Sequence, residues 1–355
     1  MRKIAGANTG VIGMKIKTGI VGVGGYSGLE LIRLIARHPG IDFLAAMDAG
    51  DYTGKNLGEI HTSLRGIYNH VVESPNLERM AALGLDTVFL CTPDKVSHEL
   101  APGILDAGMR VIDLSGAFRL KNAASYPGWY GFDHADVSLL EKAVYGLPEW
   151  NALEIATAQL IANPGCYPTS VDLALLPLVR AGLLETGSDI FCDCKSGVSG
   201  AGRSAKPELM FTEITGSFRP YSPVAHRHVP EMCQELGWDI ENFTFVPHLL
   251  PIRQGILSTI YVSFNRQVGP EELEAEYVRR YAGHRFIRIL GSPRLPELNA
   301  VAATNFCDIS WRLTHKGKRA VIFSAIDNLI KGASGQALQN FNIMHDLDET
   351  TGILL

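Results

Sequence analysis

The sequence contains no continuous apolar stretch close to the ~20 residues a bilayer-spanning helix needs, no low-complexity tract and no internal repeat. It also lacks a basic excess. The net charge of −5 gives no electrostatic reason to expect nucleic acid or an anionic membrane surface as a partner. Cysteine is sparse, with six scattered over 355 residues, unlike the dense spacing of secreted disulfide scaffolds. The one close pair, Cys192 and Cys194, is read as pointing to opposite faces of a strand. No other Cys/His cluster has zinc spacing, so no metal is expected, and a reducing, cytoplasmic setting is. The segment "MRKIAGANTGVIGMKIK" is basic but lacks a signal peptide's apolar core. Residues 1–14 are read as an extension ahead of the first strand.

What is present is ordinary in bulk, 46% hydrophobic and 19% charged, and long enough for two domains. The first third alternates strand-like and helix-like segments: "KTGIVGVGG", "SGLELIRLIARHPG" with Ser27 as its N-cap, "IDFLAAM", "DTVFLCT", "KVSHELAPGILDAG" and "RVIDLS". That rhythm predicts a parallel sheet covered by helices. After Cys166 longer strand patterns appear, such as "DIFCDCKSG", "TFVPHLLPI" and "ILSTIYVSF". They accompany the amphipathic "GPEELEAEYVRRYAG" and a terminal helix "NLIKGASGQALQNFNIMHDL". The fold class expected is α/β: a Rossmann-type dinucleotide-binding domain (15–165 and 328–355) plus an α+β catalytic and dimerisation domain (166–327).

Two short stretches carry chemistry. "GIVGVGGYSG" sets Gly22, Gly25 and Gly28 between a strand and a helix. Glycines there permit a tight turn and close approach of a pyrophosphate to free N–H groups at the helix start. At the end of the second strand, Asp48 would meet a free ribose 2′-hydroxyl and favour NAD. Lys55 would instead meet the 2′-phosphate of NADP, and the residues leave both open. In "ANPGCYPTS", Cys166 sits on a proline-flanked turn just ahead of a helix read to start near Pro168. A helix N-terminus stabilises a negative sulfur, so the thiol reads either as a nucleophile ionised at neutral pH or as a structural cysteine of a turn. "HRHVPEM" offers His226 and His228 as a base. Cys91, Cys192, Cys194, Cys233 and Cys307 read as core.

The collinear set "GVGGYSG", "NPGCYPTS", "KSGVSGAGR", "HRHVPE", "PHLLPIRQGI" and "IDNLIKGASGQALQN" resembles the N-acetyl-γ-glutamyl-phosphate reductases, within the superfamily of aspartate-semialdehyde and glyceraldehyde-phosphate dehydrogenases. The resemblance implies Cys166 as the acyl-accepting nucleophile and His228 as its acid/base partner. It implies Gly22, Gly25, Tyr26, Ser27 and Gly28 around the pyrophosphate, and Ser196, Gly197 and Asn328 on the nicotinamide side. It implies NADP, with NAD the alternative, an acyl-phosphate substrate and a homodimer or homotetramer. One departure stands in "DLSGAFRL", where Ala117 replaces the family's acidic residue. For the substrate's anionic groups, Arg119, Arg203 and His226 are the expected contacts. Three alternatives are carried alongside: reduction of a related acyl phosphate such as a carrier-linked aminoadipyl phosphate, a cysteine acyl-transferase or hydrolase without nicotinamide, and a nucleotide-sensing module.

Overall fold

The computed structural model describes residues 14–354, so nearly all of the expected N-terminal extension lies outside the described residues. Two sheets organise the chain. The first joins β1 (Ile16–Val21), β2 (Ile41–Met47), β3 (Thr87–Leu90), β4 (Arg110–Asp113), β5 (Val144–Tyr145) and β6 (Leu160–Ala162) in the order β2-β1-β3-β4-β6-β5. All of its pairings are parallel. Its strands are short apolar runs because both faces are covered. Ile20 and Phe89 pack with the helices Tyr26–Ile35 and Gly335–Met344, while Val21, Val88 and Leu90 belong to a second cluster on the opposite face with Ala101 and Ile104. The chain order reverses at β1, which has β2 on one side and β3 on the other. In open parallel sheets ligands bind at the carboxyl ends of the strands flanking such a switch point.

The second sheet joins β7 (Ile190–Gly197), β8 (Arg219–Pro220), β9 (Phe243–Leu250), β10 (Ile256–Ser263), β11 (Ile287–Ile289), β12 (Cys307–Thr314) and β13 (Arg319–Ile326) in the order β11-β12-β13-β10-β7-β9-β8. It is mixed, with β7–β9 and β11–β12 parallel and the other pairs antiparallel. Burial alternates along β7, β9 and β10, as expected when only one face of a sheet meets a core. That alternation corrects the reading of the cysteine pair. Residues two apart on a strand share a face, and Cys192 and Cys194 are both in the core. Among the described residues no group of three potential ligands could hold a metal, and no helix is long and apolar enough to cross a membrane.

The helix Cys166–Arg180 lies under the buried face of the second sheet and is buried continuously from Tyr167 to Leu178. A helix buried on every side needs packing on every side, which it finds against β10, β13 and the helices Val229–Leu236 and Pro270–Tyr281. Truncating Leu175 at its centre would cost about 2–5 kcal/mol. The chain's last segment returns to the first sheet: Gly335–Met344 contacts the helix Pro148–Thr157, and Ser334 Oγ donates to the carbonyl of Ser27 at 2.8 Å.

Candidate active site

The glycine turn lies at the carboxyl end of β1, beside the switch point. Gly22 has φ +93°, and a Cβ on Gly28 would stand 2.4 Å from the Gly22 carbonyl oxygen, so turn and helix close tightly only without side chains. A Cβ on Gly25 would meet nothing nearer than 3.8 Å; it faces open space, which leaves the backbone approachable. The helix begins at Tyr26 with extended Gly25 as its N-cap (φ −79°, ψ 172°). Ser27 is therefore in the first turn and is not the cap expected from sequence. Asp48 does reach this turn, but as a brace: its Oδ2 accepts from Gly24 N at 2.7 Å and its Oδ1 from Ala49 N at 2.7 Å. Below the turn, Cys91 falls just past the end of β3 and is only partly buried, whereas the sequence reading made it core. It lines a cavity of about 300 Å³ with Ser27, Thr92, Asp94, Ser115 and Arg227. These features fit a dinucleotide: a side-chain-free turn, free N–H groups at the start of a helix and a hydroxyl-lined groove.

Cys166 is the first residue of its helix, two positions earlier than expected. Gly165 is the N-cap, in extended conformation (φ −64°, ψ 153°), and Pro168 occupies the first turn, where a missing N–H costs no helical bond. His228 forms the N-cap of the helix Val229–Leu236. His228 packs over Gly165, the residue just before Cys166, where a Cβ would lie 2.6 Å from His228 Nε2; only glycine lets the imidazole come this close to the cysteine's turn. Glu231, one turn beyond His228, accepts from Gly165 N (2.7 Å) and Tyr145 Oη (2.9 Å) on Oε1, and pairs with Arg119 through Oε2 (3.4 Å). One carboxylate thus links the histidine's helix to the cysteine's turn. From the other side Gly332 backs the thiol, and a Cβ there would be 2.7 Å from Cys166 Cβ.

Burial pushes the Cys166 thiol up to about 11, against the opposing pull of Arg119, the Tyr167 N–H and Arg227. The thiolate expected at neutral pH is therefore disfavoured: loss of hydration outweighs the helix start and the two cations. Burial likewise holds His228 well below the ordinary imidazole value, helped by the positive fields of His226, Arg119 and Arg227. The resting pair is a neutral thiol beside a neutral imidazole with an unpartnered, buried Nδ1. A neutral imidazole can accept the thiol proton at the moment of attack. His226 lies beside it, with ring centroids 4.6 Å apart, accepts from His228 N at 3.2 Å, and is pushed down to about 4 by burial and Arg227.

The other expected contacts separate. Ser196 and Asn328 converge on Gly200, where a Cβ would be 3.2 Å from Ser196 Oγ and 3.7 Å from Asn328 Nδ2. Asn328 bonds Ser199 Oγ (3.0 Å) and Gly255 N (2.7 Å), and Gly197 is pressed against Gln254. Arg119 is buried, and its Nε and Nη2 donate to the carbonyls of Asn163 and Leu114 at 2.8 Å each, so its nitrogens support the cysteine turn. Arg203 lies at the glycine turn, bonded to the Gly24 carbonyl at 2.8 Å, and lines a cavity of about 330 Å³ with Tyr26, Ser199 and Lys206. Ala117 is wholly buried, so the carboxylate missing there is not missing from a cavity wall. The pocket beside the histidines is about 470 Å³ and includes His226, Arg227, Lys206, Arg219 and Tyr221 in its lining. Lys206, Arg227 and Glu231 escaped the sequence reading. The available signal was position: Arg227 between two histidines, and Glu231 one helical turn after His228. A larger cavity, about 670 Å³, lies on the outer face of the second sheet and includes none of these residues.

Known proteins fit this arrangement. The semialdehyde dehydrogenase NAD binding domain family matches residues 17–158, and the semialdehyde dehydrogenase dimerisation domain family matches residues 166–328. The chain is 46% identical over 343 residues to an N-acetyl-gamma-glutamyl-phosphate reductase of Halorhodospira halophila, spanning 95% of this chain and 98% of that one. It is 45% identical over 344 residues to the protein of that name from Pseudomonas aeruginosa, spanning 95% and 98%. Among solved structures it resembles aspartate semialdehyde dehydrogenase II of Vibrio cholerae (TM-score 0.69, 18% identity, 94% of this chain and 99% of that one). It also resembles the aspartate semialdehyde dehydrogenase of Candida albicans (TM-score 0.67, 15% identity, 93% and 98%). At those identities the likeness is one of fold.

Proposed function

Since the chain belongs to the N-acetyl-γ-glutamyl-phosphate reductase branch of the semialdehyde dehydrogenase family, we propose that it reduces N-acetyl-γ-glutamyl phosphate to N-acetylglutamate 5-semialdehyde with release of phosphate, a step of arginine biosynthesis, and that its cofactor is NADP. The single observation that carries this reading is that His228 packs over Gly165, the N-cap of the buried helix whose first residue is Cys166.

Cys166 Sγ attacks the acyl carbonyl as the thiol proton passes to His228. The carbonyl–phosphate bond breaks, and the departing phosphate takes the proton from the imidazole. The acyl group is left as a thioester, a far better hydride acceptor than a carboxylate. When bound, the reduced nicotinamide supplies the hydride. Cys166 leaves as the aldehyde forms and recovers a proton from water through His228. Gly22, Gly25, Tyr26, Ser27 and Gly28 would hold the pyrophosphate. Ser196, Gly197 and Asn328 would border the nicotinamide. Lys206 and Arg219, at the pocket wall, would meet the substrate's α-carboxylate. The match of residues 166–328 to a dimerisation domain supports self-association as a homodimer or homotetramer. The same chemistry would serve a carrier-linked aminoadipyl phosphate, and no feature of the pocket favours that longer substrate.

The testing assay runs in reverse: phosphate-dependent oxidation of N-acetylglutamate 5-semialdehyde, with NADP and NAD in parallel. NADP reduction that requires both aldehyde and phosphate is expected, and Cys166→Ser should abolish it while keeping cofactor binding. Aldehyde oxidation indifferent to phosphate would defeat the reading.

A further inference from the structure

Two cations pull the Cys166 thiol down against its burial, Arg119 and Arg227. Their circumstances are opposite. Arg119 is buried, and its nitrogens are held by Asn163, Leu114 and Glu231. Arg227 is half exposed, and one nitrogen is engaged, Nη1, on Asp94 Oδ2 at 2.6 Å. Among the described residues its other N–H groups have no protein partner. Asp94 is fixed independently, because its Oδ1 accepts from Gly116 N at 2.6 Å at the start of the helix Asp94–Asp106.

Arg227 also occupies a particular place. It lines both the groove below the glycine turn and the pocket beside the histidines, so it stands where the two cavities meet, next to His228 in the chain. An acyl phosphate carries its phosphoryl group directly on the carbonyl that Cys166 attacks, whereas its α-carboxylate lies several bonds away. The cation at the junction is the one placed for the phosphoryl oxygens. Lys206 and Arg219, which line the pocket but not the groove, are placed for the carboxylate. A guanidinium suits a phosphoryl group because two parallel N–H donors match two oxygens.

Building on the reading of the site as an acyl-phosphate reductase, we infer that Arg227 binds the phosphoryl group of the substrate, and inorganic phosphate in the reverse reaction, by exchanging its Asp94 partner for phosphate oxygens. Before substrate arrives, Asp94 holds the guanidinium across the junction and neutralises it. Phosphate then competes with Asp94 for one cation, and its departure restores the ion pair.

The test uses the full-length enzyme in the reverse reaction, with inorganic phosphate, aldehyde and NADP each varied in turn. Arg227→Ala is expected to raise the phosphate KM roughly tenfold to a hundredfold, the loss of a charge-assisted contact, leaving the aldehyde and NADP KM values near wild type. Arg227→Lys, which keeps the charge but not the paired donors, falls between. Asp94→Asn, which removes the competitor, lowers the phosphate KM. A rise confined to the aldehyde KM would assign Arg227 to the carboxylate, and a rise confined to the NADP KM would assign it to the cofactor; either overturns the inference. A raised phosphate KM in Asp94→Asn would overturn the exchange. Cofactor binding and melting of each variant show that it is folded. Wild-type enzyme that oxidises the aldehyde without phosphate would instead defeat the underlying assignment of activity.

Discussion

At the scale of single residues, Cys166 sits between opposing influences: desolvation raises its thiol, Arg119 and Arg227 lower it, and Glu231 raises it again. A thiol held at about 11 is almost wholly protonated at pH 7, and below that value its thiolate fraction rises about tenfold with each unit of increasing pH. Alkylation of the unliganded enzyme by iodoacetamide should therefore have a midpoint well above the ~8.5 of a free cysteine, and Cys166→Ser identifies the reacting site. In Glu231→Gln the amide oxygen can still accept the Gly165 N–H, but the negative charge beside Arg119 is gone. The midpoint should then move to lower pH, with slower turnover as the histidine's helix loses its ion pair to the cysteine's turn. If Glu231 only supported the fold, the variant would melt earlier with an unmoved alkylation midpoint. Cys166 and the two histidines could be singled out as candidates in the sequence because thiol and imidazole are rare and their neighbours are turn residues. The sequence could not show the thiol's protonation, which depends on how completely Tyr167, Gly332 and the histidine's helix exclude water. Nor could it show that Arg119 is buried and spent on backbone carbonyls while Arg227 is half exposed and held by Asp94 through one nitrogen, since the two side chains are alike in sequence.

At the scale of elements, the strands were legible wherever the chain alternates or runs apolar for four to eight residues, as β1, β2, β7 and β10 do. Helix starts were less so. Ser27 was read as an N-cap and Pro168 as a first-turn residue because their residue types favour those places, but both helices begin just after an extended glycine, Gly25 and Gly165. The irregular turn Ile330–Ser334 was not legible at all, because what holds it is distant in sequence. Lys331 is wholly buried and donates to Glu149 Oε1 (2.6 Å), Gln336 Oε1 (2.6 Å) and Gln339 Oε1 (2.9 Å). That anchor sets the neighbouring Gly332 against Cys166 and ties the terminal helix to Pro148–Thr157. Lys331→Met leaves Glu149 charged and unpaired in the core, a loss of about 3–5 kcal/mol. Lys331→Met/Glu149→Met removes both charges and should regain most of it. Guanidinium denaturation midpoints test this, and a double variant no more stable than the single one would show that the ion pair is not the source of the loss.

At the scale of the whole molecule, the two sheets differ in what they leave uncovered. The first is packed on both faces and its chemistry is at one end. The second has an outer face carrying the half-exposed rings of Phe191 and Tyr261, at 46% and 44%, beside Asp193, which pairs with Lys195 at 2.7 Å and lies 3.1 Å from His248 Nδ1. Charged neighbours around exposed aromatic rings are the composition of an interface core and its rim. A two-fold assembly would place this face against its own copy, covering the cavity of about 670 Å³ between Glu185–Phe191 and the β10–β13 pair. A stable dimer of ordinary size buries about 800 Å² per partner, within reach of a seven-stranded sheet. Phe191→Asp/Tyr261→Asp puts carboxylates at the centre of that contact, and sedimentation equilibrium should then report a monomer. Because the glycine turn belongs to the other sheet, the monomer should still bind NADP. A variant that keeps the wild-type mass would move the interface off this face, and one that loses the cofactor with the partner would mean that the second copy helps to shape the groove.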